Sequence, residues 1–369
     1  VLYLVDASQS PHALTCGDLE IGVIEWIGKP VLVFLNQTGA PDETQDRLNE
    51  AEWRAHLSKY PIVKSVSTLD AFTRSWTQEH DILGKAAEVL EGRKRKAAKH
   101  LQKAWLERNL EIFDQSVEKI AQLAQFSLSD IEPLPEEGLL EKVKKQILDR
   151  KEHRKELEEI QKRMYERLAA ETQKTINSLI SLHGLDGETA SRLEAASGDK
   201  FSIKRSVQES LLATFGGAVS GLVGGLSADL ISGGMTFGGG ALVGMLLGGA
   251  TTFSLAYGFN LTQAGRNMVR WSEVHFMNQV ETIIMLYLAI SHYGRGRGSW
   301  QDPVNNPGRW QELVKAKLEA DRGSWSKIWK KGGIGSEPGE LQKPLERQIR
   351  PLLIEVFSTL YPESKTIFR

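Results

Sequence analysis

Two short polar segments near the start of the sequence carry side chains suited to ligand binding. Asn36-Gln37-Thr38-Gly39 follows the apolar run 31–35 (VLVFL), and Ser67-Thr68 follows a second strand-like run at 62–66. Ligands of open parallel sheets bind at the carboxyl ends of strands, where amide, hydroxyl and backbone groups can form hydrogen bonds. Asn, Thr and Gly are also common turn residues, so residues 36–39 could instead form an ordinary strand-to-helix turn.

Covalent and metal chemistry find little support in the sequence. The single cysteine, Cys16, excludes an internal disulfide and has no accompanying histidine pattern typical of a nucleophile, so a small apolar filler is favoured. The eight histidines show no metal-ligand spacing. We therefore predict no catalytic residue and no metal ligand here. The 46 Lys and Arg nearly balance 47 Asp and Glu, which argues against a nucleic-acid partner.

The elements that would position the polar segments alternate between strand and helix up to about residue 90. Runs at 1–5, 31–35 and 62–66 predict three strands, with helices at about 14–27 and 44–57 between them. This alternation predicts a parallel α/β sheet, and the continuous apolar run 1–5 predicts a strand buried on both faces. Because the sequence starts within such a strand, we expect it to be a fragment of a longer domain.

Residues 1–90 resemble the C-terminal part of the nucleotide-binding domain in Era-like, Ras-superfamily bacterial GTPases that carry a C-terminal helical domain of unknown function. VLYLVDAS (1–8) matches the strand after the family's switch region, and residues 66–70 match the last base-binding loop. The tetrad at 36–39 stands where the family has Asn-Lys-x-Asp. The resemblance implies a GTP-binding protein, and the base-binding residues that it implies are Asn36, Gln37, Gly39, Ser67 and Thr68.

The resemblance also implies a role for each residue. Asn36 would position the base loop, Gln37 would lie over the base, and Ser67-Thr68 would offer backbone donors to its edge. Two departures matter: Gln37 replaces the family's Lys, and Gly39 replaces the Asp that selects guanine. The sequence also contains no Gly-x4-Gly-Lys-Ser/Thr motif, which would cradle phosphates and bind Mg²⁺. GTP with Mg²⁺ is therefore expected in the full-length parent, and neither is expected to bind this fragment alone.

Residues 91–369 predict a mostly α-helical domain of unknown function. Helical spacing of apolar residues covers 93–126, then 139–182 as one long helical arm, and later 261–293, 310–320 and 341–360. The arm lacks the clean heptads of a sustained coiled coil. Four tryptophans near the end of the sequence are compatible with a membrane interface or with core packing: Trp300, Trp310, Trp325 and Trp329.

Residues 211–259 form a glycine-rich apolar stretch with a single charge, Asp229, near a predicted turn. Each limb is near the length that spans a bilayer, and glycines spaced four apart allow close helix packing. We predict a helical hairpin that enters a membrane or packs tightly, including against a second copy of the chain; a hairpin buried in a helical domain is the alternative. The hairpin glycines are Gly217, Gly221, Gly225, Gly240, Gly244 and Gly248.

A basic segment begins the helical part, with Lys or Arg at 93–96, 99 and 103. It fits either a solvated helix face, the favoured interpretation, or contact with anionic lipid. We expect a cytoplasmic GTPase-coupled protein that can lie at the inner face of the cell membrane, bound to the membrane or to a membrane protein. The alternatives are a soluble helical interaction or scaffold protein with a vestigial nucleotide domain, and a glycine-zipper pore-former.

Overall fold

The computed structural model describes residues 1–7, 10–11, 17–36, 43–69, 75–133, 151–184, 268–293, 306–332 and 339–368. These residues are mostly helical, with a small parallel sheet near the start of the chain. They belong to two compact units, the first from Val1–Ile112, Ser291–Arg309 and Phe357–Arg369, and the second from Phe113–Ile290 and Trp310–Val356. The boundary at residue 90 stays a prediction.

The sheet is built from three parallel strands with helices between them. Its order is β1-β2-β3, so β2 is the middle strand. In chain order the elements are β1 (Leu2–Asp6), α1 (Gly17–Ile27), β2 (Val31–Asn36), α2 (Glu43–Leu57), β3 (Val63–Thr68) and α3 (Trp76–Glu88).

Strand β2 is buried on both faces, which explains its unbroken apolar run. Successive side chains of a strand point to opposite faces. Val31, Val33 and Leu35 pack in one core cluster with residues of α1 and α2. Leu32 and Phe34 pack in a second cluster with residues of α3. Because the strand is packed on both faces, its carboxyl end is held in place within the first unit.

Strand β1 corrects one expectation. Its run is as apolar as that of β2, yet Leu2 is 60% and Leu4 is 56% exposed, so the prediction of burial on both faces is wrong. Val5, and Tyr3 at its margin, face the core cluster that α1 and α2 cover. On the opposite face, α3 packs against β2. The apolar composition of residues 1–5 therefore predicted a strand correctly, but it did not predict which of its side chains are buried.

The remaining elements are mostly long helices, which confirms the helical expectation after residue 90. They are α4 (Gly92–Ser129), β4 (Ile131–Pro133), α5 (Lys151–Leu182), β5 (Met268–Arg270), α6 (Glu273–Tyr293), α7 (Asn306–Ala320), α8 (Arg322–Lys331), α9 (Gln342–Leu360) and the 3-10 helix Pro362–Thr366. Of the predicted arm at 139–182, the part before Lys151 lies outside the described residues.

The predicted helix at 261–293 is wrong at residues 268–272, and its residues 261–267 lie outside the described ranges. Residues Met268–Arg270 form β5, which pairs antiparallel with β4. The helix starts only after Ser272, whose Oγ accepts a hydrogen bond from the His275 N–H at 3.1 Å. The Ser272 carbonyl also accepts from the Phe276 N–H at 2.9 Å. This serine cap satisfies N–H groups at the helix start and stops the helix from extending backwards.

Three of the four tryptophans belong to the core of the second unit, and Trp300 lies outside the described residues. Trp310, Trp325 and Trp329 are 3%, 1% and 7% exposed. The guanidinium of Arg270 lies 3.8 Å from the Trp329 ring centre, and the Trp329 indole N–H donates to the Trp271 carbonyl at 3.2 Å. Core packing, and not a membrane interface, accounts for these three side chains.

Membrane insertion concerns a segment beyond the described residues. Among the helices that the structure describes, none combines the length and apolar character needed to cross a bilayer. The predicted hairpin at 211–259, with all six of its glycines, lies outside the described ranges. Its insertion therefore stays a prediction.

Candidate functional site

The three strands of the sheet end at one edge, which brings together the sequence-predicted residues that the structure describes. Asn36 is the last residue of β2 and is half-buried; in register it lies beside Asp6, and Leu35 lies beside Thr68. The ladder extends further, because the Ala7 N–H donates to the Asn36 carbonyl at 2.8 Å and the Leu69 N–H donates to the Leu35 carbonyl at 2.9 Å. The end of β2 is thus held by hydrogen bonds on both sides.

Thr68 is tied to α2. Its hydroxyl donates to Glu50 Oε2 at 3.0 Å, and the other oxygen of that carboxylate accepts two hydrogen bonds from Arg54, one of them from Nε at 2.8 Å. Glu50 and Arg54 lie four residues apart on the same helix face. The carboxylate is therefore held between the strand end and the arginine.

Ser67 is tied to α3 on the opposite face of the sheet. Its hydroxyl accepts a hydrogen bond from Lys85 Nζ at 2.7 Å, and Lys85 also pairs with Asp81 at 2.5 Å. Neighbouring residues of a strand point to opposite faces, so Ser67 and Thr68 each reach a different helix. The end of β3 is held from both sides, and its side chains are already engaged within the protein.

The residues that hold this edge could not be identified from the sequence. Glu50 and Lys85 stand in helices, and the one signal for them is the oppositely charged i,i+4 pairs that they form with Arg54 and Asp81. Such pairs are common on solvated helices, so they carry no information about a strand end. Of the predicted base-binding residues, Gln37 and Gly39 lie outside the described residues.

A second polar cluster lies in the second unit, around the buried carboxylate of Asp130. Arg167 Nε and Nη2 both donate to Asp130 Oδ1, at 2.9 and 2.6 Å, and the Trp271 indole N–H donates to Oδ2 at 3.0 Å. Arg167 Nη1 reaches Glu132 at 2.5 Å. Burial raises the pKa of Asp130, and the hydrogen bonds from Arg167 and Trp271 oppose that rise.

His275 lies against this cluster. It is 1% exposed and stacks on the Trp271 ring at 4.2 Å between ring centres. Neither of its ring nitrogens has a hydrogen-bond partner among the described residues, nor has the side-chain amide of Gln279 one turn later. Burial lowers the pKa of His275 to about 4, so the ring is neutral at pH 7.

The chemistry of the two clusters differs from that of an acid–base or metal centre. Asp130 is engaged by Arg167 of α5 and by Trp271, which lies between β5 and α6, so the carboxylate holds these elements together. Within the described ranges, no three His, Cys, Asp or Glu side chains are grouped so that they could hold a metal ion. The sheet edge is the arrangement best suited to a ligand, and the Asp130 cluster is best suited to holding a core.

Comparison with known proteins gives one match. The model of a family described as a domain of unknown function (DUF3482) matches residues 54–351. The matched range begins within α2 and ends within α9, so it covers β3, about half of the first unit and nearly all of the second. Strands β1 and β2 precede the matched range. No curated protein and no solved structure matches the chain.

Proposed function

The chain belongs to the DUF3482 family, and we propose that its sheet forms the base-binding side of a GTP-binding domain coupled to a helical, membrane-associated module. The location of Asn36 carries this proposal. It ends a middle parallel strand that is buried on both faces, and ligands of open α/β sheets bind at that end of a strand. In the Era-like GTPases that the sequence resembles, an asparagine at this point positions the base loop.

The residues present fit a guanine nucleotide only in part. Asn36 has the expected place, while Gln37 and Gly39 replace the family's lysine and aspartate. The sequence also contains no phosphate-binding motif. The proposal therefore assigns this chain the base side alone, and phosphate and Mg²⁺ contacts would come from residues outside this sequence.

The helical module is proposed to respond to the nucleotide. Segments that change with nucleotide state reposition neighbouring elements in other switch proteins. The glycine-rich stretch 211–259, with one charge in two limbs of spanning length, supports a membrane-associated role at the inner face of the cell membrane. Its glycines also suit pairing with a second copy of the chain.

Nucleotide binding is tested with the natural full-length protein and a fluorescent GTP analogue, competed by GTP, GDP and ATP. We expect Asn36→Ala to weaken binding by roughly tenfold, because removal of a positioning hydrogen bond costs about 1–2 kcal/mol. Asn278→Ala, the same change at an exposed position of α6, is the control and should leave affinity unchanged.

The outcomes separate the parts of this proposal. Tight binding of GTP and GDP over ATP supports guanine recognition, while equal competition by ATP contradicts it. Absence of binding to all three nucleotides contradicts the nucleotide site and favours a scaffold with a vestigial nucleotide domain. Release of the protein from membranes by a high-salt wash without detergent contradicts insertion of the hairpin.

A further inference from the structure

The first four turns of α4 form a basic surface with an unusual charge balance. Between residues 92 and 106 there are six Lys and Arg and no Asp or Glu. The whole chain has a net charge of −1, so this +6 segment leaves −7 on the rest of the chain. Residues 93–97, 99–101, 103 and 104 are all exposed.

This concentration of positive charge is unfavourable for the stability of the start of α4. The N-terminal end of a helix has a partial positive charge, so cations in the first turn are unfavourable there. The first turn of α4 contains no acidic residue to offset them. In the described part of the chain, Arg93, Lys94, Lys96 and Lys99 have no hydrogen-bond or ion-pair partner for their side chains.

Among the cations of this segment, Arg95 has a structural role in the first unit. Arg95 donates from Nε to the Leu90 carbonyl at 2.6 Å and from Nη2 to the Glu88 carbonyl at 2.9 Å. It thereby satisfies backbone groups at the end of α3. Lys103 forms an ion pair with Glu107 at 3.6 Å. Lys94, Lys96 and Lys99 make no such contact among the described residues, so packing of the first unit does not explain these three.

Apolar side chains lie between the cations on the same exposed side of the helix. Ala97, Leu101 and Ala104 follow one another at i, i+4 and i+7, and Leu101 is 56% exposed. Lys94 flanks this stripe on one side, and Arg93 and Lys96 flank it on the other, as helical geometry requires. An exposed apolar stripe that contains a leucine and is bordered by cations is typical of helices that lie at a lipid interface.

We propose that this surface, residues 93–104 of α4, docks onto a membrane that contains anionic lipids. The cations would meet the headgroup phosphates and carboxylates, and Leu101 would enter the boundary with the acyl chains. An RNA partner is disfavoured, because the exposed stripe offers alanine and leucine where single-stranded RNA would need aromatic side chains to stack on. This docking deepens the membrane association of the proposed function and rests on it.

The test measures partition of the natural full-length protein onto vesicles of phosphatidylcholine with 30% phosphatidylserine, and onto vesicles of phosphatidylcholine alone. Each cation near an anionic surface contributes about 1 kcal/mol, which is about fivefold in partition. The variant Arg93→Gln/Lys94→Gln/Lys96→Gln should therefore bind the anionic vesicles about 100-fold more weakly. Leu101→Ala should weaken that binding by up to about tenfold.

The matched control is Lys315→Gln/Lys330→Gln/Lys331→Gln, which removes the same charge from exposed positions of α7 and α8. We expect it to change partition by less than threefold. Equal losses in the two triple variants, or no loss in the α4 variant, would overturn the proposal. So would salt-sensitive binding to a 30-nucleotide RNA in the absence of vesicle binding. Thermal melting of each variant by circular dichroism verifies that it is folded.

Failure of this docking is distinguishable from failure of the proposed function. Insertion of the hairpin predicts binding to neutral vesicles that survives high salt, whereas docking through α4 predicts binding that needs anionic lipid and is lost at high salt. Binding of GTP is measured without vesicles. Membrane insertion that does not depend on lipid charge would therefore refute docking through the α4 surface, but it would not contradict insertion of the hairpin or the nucleotide site.

Discussion

Acidification is expected to destabilise the second unit through His275. The ring is buried, stacked on Trp271 and without a hydrogen-bond partner among the described residues, so a proton on it would leave an uncompensated charge in the core. Its folded-state pKa is about 4, below the usual 6.5 of an unfolded chain. As the pH falls below 6.5, the unfolded state takes up a proton that the folded state does not bind.

The size of this pH-dependent stabilisation follows from the difference between the folded-state and unfolded-state pKa of His275. The stabilisation is fully present above pH 6.5 and is lost progressively as the pH falls towards 4. At about 1.4 kcal/mol for each pH unit, the complete loss is about 3 kcal/mol, most of it already reached at pH 4.5. Asp130 acts in the opposite direction, because burial raises its pKa and it gains a proton earlier in the folded state than in the unfolded state.

The assay compares the wild type with His275→Phe by urea denaturation at pH 7 and pH 4.5. Phenylalanine keeps an aromatic ring against Trp271 and removes both unpartnered nitrogens, so we expect equal or greater stability at pH 7. The contribution of Asp130 is shared by both proteins and cancels in the difference. The variant should lose about 2–3 kcal/mol less than the wild type on acidification.

An exposed histidine supplies the control. His100→Phe, at an exposed position of α4, should show the wild-type loss of stability on acidification. If the wild type and His275→Phe lose the same free energy of unfolding between pH 7 and 4.5, His275 is not held neutral in the folded core. The explanation from burial would then be refuted.

Three further substitutions are assessed by urea denaturation of the same unit. Gly332→Ala should destabilise it by about 1–3 kcal/mol, because a Cβ at this position would lie 2.9 Å from the Cβ of Leu128; an unchanged midpoint would contradict this packing. Gly323→Ala, with nothing within 4 Å of its new Cβ, should instead stabilise the unit by about 0.5 kcal/mol through lower backbone freedom. Arg167→Met should lower the free energy of unfolding by about 3 kcal/mol at pH 7, because it leaves the buried Asp130 carboxylate without its charged partner. This loss should be smaller at pH 4, where Asp130 can be protonated. A loss that does not depend on pH would show that the unpaired carboxylate is not its cause.

Local sequence pattern predicted the elements of the sheet and most long helices. A run of five large apolar residues at 31–35 needs cover on both faces, which only a middle strand receives, and β2 has that place. The prediction of burial failed for β1, because the burial of a strand depends on which helices pack against it. Leu2 and Leu4 are as apolar as the residues of β2, yet they are exposed because the helix on their face packs against β2.

Short pairings between distant segments could not be predicted. Strands β4 and β5 have three residues each and are separated by more than 130 residues, too short for any period to appear in the sequence. The predicted helix at 261–293 was therefore drawn too long. The cap at Ser272 was visible in the sequence, but a serine within an apolar periodic stretch is an ambiguous signal.

The sequence by itself determined the strand that ends at Asn36, the polar residues that follow it, and the basic start of α4, because each depends on side chains that are neighbours along the chain or along one helix. Tertiary structure alone decided that Glu50 and Lys85 hold the end of β3, and that Asp130 meets Arg167 and Trp271 across 37 and 141 residues. Such contacts form only when the packing of separate elements brings their side chains within hydrogen-bond distance, and no local pattern records that approach.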